Sequence, residues 1–270
     1  MPADKTVCCI IAQKRTSRIC IQFYRYIIES GMPALLALSN GTDGHAVLAI
    51  GHKEIISADV TRFLLKSAKD VWKDISFYKK RLVVIDDNKT PFDIVSVDCP
   101  AEHYKGKLKE MKIMAFLVSF HKHMFMDAHI ARELTKVALD DTDYGLHKFG
   151  KKWITRLLLT SSSSFKEFTA RNEHINPKIK ELFLHTSFPK FIWICELYRQ
   201  EKYGDKISSG ILIIDSTGGA SLNAIIYYII DESRIIQKDS LTWESKHKMV
   251  RYESLPYRNN LKGNWNSWKV

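Results

Sequence analysis

The sequence predicts an α+β fold. Apolar segments of strand length, bounded by Gly, Asn and Asp turn residues, alternate with segments whose apolar residues recur at helical spacing. The last apolar segments, residues 191–198, 210–215 and 224–230, follow one another without a helical pattern between them and predict an antiparallel sheet. The 270-residue chain is 45% hydrophobic and 26% charged, a globular composition that excludes disordered, collagen-like and disulfide-scaffold proteins.

The N-terminal third predicts a strand, a helix and a hairpin. Residues 5–12 form a short apolar run typical of a strand. Residues 16–31 place apolar side chains on one helical face, and a glycine at the end of the segment favours helix termination. Residues 33–38 have the pattern of a buried strand, and the turn cluster 40–44 connects them to a second strand at 45–51.

The middle of the chain predicts a helix, two strands and a connector. Residues 58–75 are amphipathic at helical spacing, and residues 82–85 form an apolar strand that stops at Asp86. Residues 94–97 predict a further short strand. The charged segment 102–109 has the composition of a connector between domains.

Beyond the connector, the pattern changes from strand to helix. Residues 112–120 predict a strand. Residues 127–139 predict a helix, because Asp127 is a residue type that caps helix N-termini. Residues 151–159 and 164–171 also predict helices.

Two polar residues lie at the ends of predicted strands. His45 begins the second hairpin strand, and Asp86 follows the third strand directly. Neighbouring strands bring such side chains within hydrogen-bonding reach. A papain-like cysteine hydrolase needs this combination, because a thiolate attacks the substrate carbonyl, a histidine takes and returns the proton, and an acid or amide orients the histidine. Asp87 is the alternative orienting acid, and a simple turn-forming role is the competing interpretation of Asp86.

These segments resemble a known family. Residues 26–38, YIIESGMPALLAL, resemble the helix, Gly-x-Pro and apolar strand of bacterial C39-like cysteine peptidases. Residues 44–52, GHAVLAIGH, resemble the strand that carries their catalytic histidine. Residues 83–88, VVIDDN, followed by Pro91, resemble the strand that ends in their orienting acid. The resemblance covers roughly residues 20–95.

The resemblance implies a fold and a chemistry. Residues 1–104 would be the His/Asp half of a papain-like lobe, followed by a mixed helix and antiparallel-sheet region of unknown role over residues 105–270. The implied activity is thiol-dependent hydrolysis of peptide or amide bonds in a peptide or protein substrate. His45 would be the general base and acid and Asp86 its orienting acid, and no cofactor is implied.

The nucleophile is the point at which the chain departs from the family. Such peptidases carry it far upstream of the histidine, in a Cys-Gly phrase preceded by Gln, and none of the five cysteines here is followed by Gly. We therefore expect the nucleophile-bearing N-terminal part to be missing, with an inactive pseudoenzyme as an open alternative. Cys9 is our candidate nucleophile, with Cys8 and Cys20 as alternatives, whereas Cys99 and Cys195 are weaker candidates.

Two other patterns suggest ligands only superficially. A cluster of candidate metal ligands is formed by His121, His123, Asp127 and His129. A strand exit followed by a capped helix explains them more simply, and we predict no metal site. Residues 215–219 follow an apolar strand but lack the lysine and the spacing of a phosphate-binding loop, so we predict an ordinary polar turn there.

The net charge of +11 favours weak affinity for polyanions. Residues 246–269 interleave Lys and Arg with Tyr and Trp, so the alternative function is a non-catalytic basic module that binds nucleic acid or a protein partner. The sparse, odd set of cysteines and the lack of a signal-peptide pattern predict a cytoplasmic protein. No apolar run is long enough to span a membrane, and nothing in the sequence indicates an oligomeric state.

Overall fold

The computed structural model shows a mixed α+β protein, as the sequence predicts. It describes residues 6–12, 24–53, 71–121, 124, 126–142, 145–150, 152–173, 175–205, 208–217, 224–230, 234–237 and 249–251. The chain forms two compact units, the first of Met1–Ile55 with Ser76–Met124 and the second of Ile56–Ile75 with Phe125–Val270.

The described strands and helices are named in chain order. The strands are β1 (Thr6–Ala12), β2 (Ala34–Ser39), β3 (Gly44–His52), β4 (Trp72–Asp74), β5 (Arg81–Ile85), β6 (Asp93–Ser96), β7 (Lys112–His121), β8 (Trp153–Ser161), β9 (Phe191–Arg199), β10 (Gly210–Asp215), β11 (Ile225–Ile230), β12 (Arg234–Gln237) and β13 (Met249–Arg251). The α-helices are α1 (Tyr24–Glu29), α2 (Ala128–Leu139), α3 (Ser162–Arg171) and α4 (Pro177–His185).

The first unit is built on an antiparallel sheet. Its six strands among the described residues are in the order β1-β7-β2-β3-β5-β6. Strand β7 lies between β1 and β2, so this unit continues beyond residue 104, where the sequence analysis places its boundary. Helix α1 contacts β2 and β3 and contributes the buried side chains of Tyr26 and Ile27 to the core.

The β2–β3 hairpin fixes the position of His45. The Asn40 side chain accepts hydrogen bonds from the backbone N–H groups of Thr42 (3.0 Å) and Asp43 (2.7 Å), a local bond pattern that favours a tight turn. The hairpin register places His45 opposite Leu38. Strand β5 pairs with β3 on its other side, so the residue that follows β5, Asp86, lies at the same end of the sheet as His45.

The second unit has a seven-stranded sheet in the order β13-β12-β11-β10-β9-β8-β4. The pairing of β4 with β8 is parallel, and the other pairs are antiparallel. The predicted antiparallel sheet of three consecutive segments is therefore confirmed as β9, β10 and β11. On one face of the sheet the rings of Phe165 (α3) and Phe183 (α4) pack with Ile194 and Ile213.

Several element predictions are confirmed, and two predicted helices are wrong in whole or in part. Helix α2 is confirmed with its cap, because the Asp127 side chain accepts a hydrogen bond from the backbone N–H of Ile130 (2.9 Å). The helix predicted at residues 151–159 is strand β8 instead. Residues on both faces of β8 are buried, so its sequence lacks the polar/apolar alternation that marks a half-exposed strand. The helix predicted at residues 58–75 lies outside the described residues up to residue 70, and its end is wrong, because residues 72–74 form strand β4.

In the described ranges, every helix is too short or too polar to cross a bilayer.

Candidate functional site

The fold of the first unit brings His45 and Asp86 together. The Nε2 atom of His45 lies 3.0 Å from Oδ1 of Asp86, which is hydrogen-bonding distance. Both residues extend the buried face of their strands, since His45 is opposite the buried Leu38 and Asp86 follows Val84, also buried, at an interval of two. The two candidate residues that the sequence selected as base and orienting acid therefore form a pair.

Asp86 is buried and surrounded by hydrogen-bond donors. Its Oδ1 also accepts from the backbone N–H of Asn88 (3.0 Å), and its Oδ2 accepts from the Tyr104 hydroxyl (2.8 Å). His103 Nε2 lies 3.4 Å from Oδ2. Burial alone raises the pKa of Asp86, but the bonds from Asn88, His45 and Tyr104 outweigh it and hold the pKa at about 2. Asp86 is therefore an ionised, acceptor-only group near neutral pH.

The hydrogen bonds of Asp86 determine the tautomer of His45. Nε2 of His45 faces the ionised Asp86 carboxylate, which can only accept, so Nε2 carries the proton in the neutral ring. The lone pair is then on Nδ1, and the side chain remains 18% exposed. A neutral imidazole in this state can take a proton at Nδ1, and the resulting imidazolium is stabilised by the carboxylate behind it.

Tyr104 and His103 complete the site, and the sequence analysis missed both. They lie in the segment between β6 and β7 that was interpreted as a charged connector. The Tyr104 ring contacts the His45 ring edge-to-face, with centroids 5.6 Å apart. Burial and the hydrogen bond to Asp86 raise the pKa of Tyr104, so its hydroxyl keeps its proton near neutral pH. The one sequence feature that could have indicated these two residues is that a histidine and a tyrosine are adjacent in an otherwise lysine-rich connector.

Asp87 does not take the place of Asp86. Its side chain is 84% exposed, and its Oδ1 lies 3.9 Å from His45 Nε2, beyond hydrogen-bonding distance. Together, His45, Asp86 and Asp87 present one nitrogen and two oxygens within 4.8 Å of one another, a donor set that divalent metals such as zinc accept. A metal at this point would have to replace the Nε2 proton and separate His45 from Asp86.

Of the four metal-ligand candidates from the sequence, Asp127 and His129 have described side chains. Asp127 caps α2 and His129 lies within that helix, whereas the side chain of His121 and the whole of His123 lie outside the described residues. Asp215 accepts hydrogen bonds from the backbone N–H (2.7 Å) and hydroxyl (2.6 Å) of Thr217, as expected of the polar turn that we predicted there.

The structure does not bring Cys9 to His45. Cys9 is opposite Val118 of β7, whereas His45 is opposite Leu38, which is in turn opposite Ile113 of β7. The two positions are thus separated by three strand-to-strand steps and by five residues along β7. Standard strand spacings make this about 20 Å. Cys8 is one residue farther along β1, so the register places both cysteines of β1 away from the site.

The other cysteines are distributed between the units. Cys99 is half-buried, with its Sγ 3.7 Å from the Lys112 ammonium. Cys195 is fully buried in β9, and burial raises its pKa well above the ordinary value, which makes it a poor nucleophile. Cys20 lies outside the described residues. Of the thiols whose side chains are described, neither lies within hydrogen-bonding distance of His45.

A second histidine of β3 makes stability depend on pH. Burial lowers the pKa of His52 to about 4 from 6.5, and its Nε2 lies 3.3 Å from the Arg25 carbonyl oxygen. Between pH 6.5 and 4 the unfolded chain binds a proton at this position and the folded chain does not. The contribution of His52 to the free energy of unfolding therefore falls by about 3 kcal/mol as the pH is lowered through this range. Below pH 4 this contribution does not fall further.

Native-state hydrogen exchange of β3 amides, corrected for the intrinsic rate at each pH, measures this loss. His52→Gln is expected to flatten the slope between pH 6.5 and 4, whereas the control His147→Gln, at an exposed position of the second unit, keeps it. Equal slopes in the wild type and His52→Gln would contradict a neutral, half-buried His52.

Comparison of the chain with protein-family models, with curated proteins and with solved structures found no match. Function is therefore inferred from the geometry of His45, Asp86 and their neighbours, together with the motif resemblance described above.

Proposed function

We propose that this protein is related to C39-like cysteine peptidases and acts on peptide or amide bonds. His45 is the general base and acid, and Asp86 orients it. The observation that supports this most directly is the 3.0 Å bond between His45 Nε2 and a buried, ionised Asp86. The His45 side chain is partly exposed, as a group that exchanges protons with a substrate must be.

The order of the elements also supports a papain-like half-lobe. Helix α1 leads through Gly31 and Pro33 into β2, and β2, β3 and β5 are adjacent antiparallel strands. The base and its orienting acid thereby come from neighbouring strands at one end of the sheet. This arrangement is the one that the family resemblance implies.

The proposed reaction has two halves. A cysteine thiol gives its proton to Nδ1 of His45, and the thiolate attacks the carbonyl carbon. The C–S bond forms, the amide C–N bond breaks, and His45 returns the proton to the leaving amine. Water then gives a proton to His45 as it attacks the thioester, which releases the carboxylic acid product, and the proton returns to the thiol. Asp86 stabilises the imidazolium in both halves.

The alkylation rate of each of the five thiols tests this function. Iodoacetamide is added between pH 5 and 9, and each modified cysteine is quantified by mass spectrometry in the wild type, in His45→Ala and in the control His185→Ala, an exposed position of α4. A hydrolase that carries its own nucleophile is expected to have one thiol that reacts rapidly below pH 7 in the wild type and His185→Ala, and about 10-fold or more slowly in His45→Ala, because its thiolate is stabilised by His45.

The position that reacts identifies the nucleophile, and its Cys→Ser variant should lose all amide hydrolysis. Chelators should leave the reactivity unchanged, because no step uses a metal. If all five thiols react alike in the wild type and His45→Ala, the chain has no His45-activated nucleophile. The proposal of an active cysteine hydrolase is then wrong, and the inactive pseudoenzyme takes its place.

The alternative is the non-catalytic basic module. Exposed lysines favour it, since Lys105, Lys107 and Lys109 lie on or beside the short 3₁₀ helix Gly106–Glu110, immediately after Tyr104. A module of this kind would bind RNA or an acidic protein with an affinity that falls steeply with salt, and its thiols would be indifferent to the His45 substitution.

The proposed location is the cytoplasm. Cys99 and Cys195 are free thiols. The proposed hydrolase needs its thiol in the reduced form, and the cytoplasm keeps thiols reduced.

A further inference from the structure

We infer that Tyr104 is a positioning residue, which fixes both the carboxylate of Asp86 and the ring of His45. This inference rests on the proposed function, in which these two residues form the base and its orienting acid. The role of Tyr104 follows from its hydroxyl group, which contacts both members of the pair at once.

The Tyr104 hydroxyl closes a ring of hydrogen bonds. It lies 2.8 Å from Oδ2 and 3.1 Å from Oδ1 of Asp86, and 3.1 Å from Nε2 of His45. Its single proton goes to Oδ2, the nearer of the two acceptors. The hydroxyl oxygen then faces the Nε2–H of His45 and can accept a hydrogen bond from it. Asp86 Oδ1 is the other acceptor of this N–H group. Each of the three groups therefore restrains the other two.

The ring of Tyr104 is itself held in place. The His103 ring lies 4.5 Å from it, centroid to centroid, and the Lys89 ammonium lies 5.4 Å from its centroid. The backbone N–H of Tyr104 donates to the Ala101 carbonyl (3.0 Å), which forms a turn. The hydroxyl position is thus set by these contacts with the ring and by the backbone turn.

Other charged and titratable groups around Asp86 do not duplicate this contact. His103 is 3.4 Å from Oδ2, a longer and weaker bond. The Nδ1 atom of His103 lies 3.8 Å from Asp93, which is partly exposed. Asp87 points its carboxylate to solvent. Among the described residues, the Tyr104 hydroxyl is therefore the side-chain donor that lies closest to Oδ2.

Removal of the hydroxyl has a defined consequence. Asp86 loses its strongest bond at Oδ2, so its carboxylate is less stabilised and freer to rotate about its own side chain. The Nε2–H of His45 loses one of its two acceptors. The preference of the neutral ring for a proton on Nε2 weakens, and the lone pair at Nδ1 is no longer held toward the substrate.

NMR of Tyr104→Phe tests this role without requiring turnover. The ¹⁵N signals of the His45 ring report its tautomer, and the ¹³C carboxyl signal of Asp86 reports its pKa. In Tyr104→Phe we expect the Asp86 midpoint to rise by about one pH unit, a tenfold change in its proton affinity, and a proton-on-Nδ1 population to appear at His45. The matched control is Tyr227→Phe, which removes a hydroxyl that bonds to Thr186 in the second unit.

A smaller response is expected from His103→Gln, because its contact with Asp86 is the longer one. Unchanged His45 and Asp86 signals in a folded Tyr104→Phe protein would overturn the inference. Circular dichroism establishes that the variant is folded, and the isosteric ring preserves the packing. If the thiols do not respond to His45 while Tyr104→Phe still shifts both signals, the proposed hydrolase fails and the positioning role of Tyr104 remains.

Discussion

Asp86→Asn is expected to lower the rate of the His45-dependent step by about 10²- to 10⁴-fold. The substitution keeps the size of the side chain but removes its charge. A buried amide cannot stabilise the imidazolium as the ionised carboxylate does, and its NH₂ group can face Nε2 and favour the wrong tautomer. The rate is measured as alkylation of the reactive thiol below pH 7 and as hydrolysis of a peptide amide.

Asp87→Asn is the matched control. Asp87 is adjacent in sequence and close to His45, but its side chain is 84% exposed and 3.9 Å from Nε2. An exposed charge at this distance is screened by solvent, so we expect a rate change of less than about threefold. Equal losses in the two variants would show that net charge near His45, rather than the hydrogen bond that His45 donates to Asp86, sets the rate.

The same variant changes the stability in acid. The pKa of Asp86 is about 2 in the folded protein, below its ordinary value of 3.8, so the unfolded chain binds the proton first as the pH falls. The contribution of Asp86 to stability, about 2 kcal/mol, is present above pH 4 and is lost between about pH 4 and 2. Asp86→Asn should remove this part of the acid dependence, and Asp87→Asn should retain it.

His45 and Asp86 could be selected from the sequence because the patterns that mark them are local. His45 follows a turn cluster that starts a strand, and Asp86 ends an apolar strand, so both positions were visible in short windows. Their meeting depends only on β3 and β5 being neighbours. By contrast, Tyr104 and His103 lie in a segment without periodicity, and tertiary packing alone brings them to Asp86.

Strand order limited the other predictions. The run that contains Cys9 was correctly predicted as a strand, but no local pattern shows that β7 separates β1 from β2. The charged segment before β7 had the composition of a linker, although β7 returns to the first sheet. At β8, burial of both faces removed the alternation that distinguishes a strand from a helix. In each case the deciding contacts are distant in sequence.

Leu36→Ala should destabilise the first unit by about 2–5 kcal/mol, whereas Leu35→Ala should cost less than about 1 kcal/mol. Leu36 is fully buried and its neighbour Leu35 is 40% exposed, because successive residues of β2 face opposite sides of the sheet. Native-state hydrogen exchange of β2 and β3 amides gives the free energy of opening for each variant. The two substitutions remove the same atoms, so only the face of the strand differs.

This comparison also tests the site. Leu38 is on the face of Leu36 and is directly opposite His45, and directly opposed residues share a face of the sheet. A register shift of one residue would turn every side chain of the strand to the other face. Equal losses for Leu35→Ala and Leu36→Ala would contradict the alternation of β2, and with it the placement of His45 on the side where Asp86 is buried. A large loss of stability confined to Leu36→Ala would mean that the alternation of β2 side chains, which buries Leu36 in the core, also determines the face on which His45 lies.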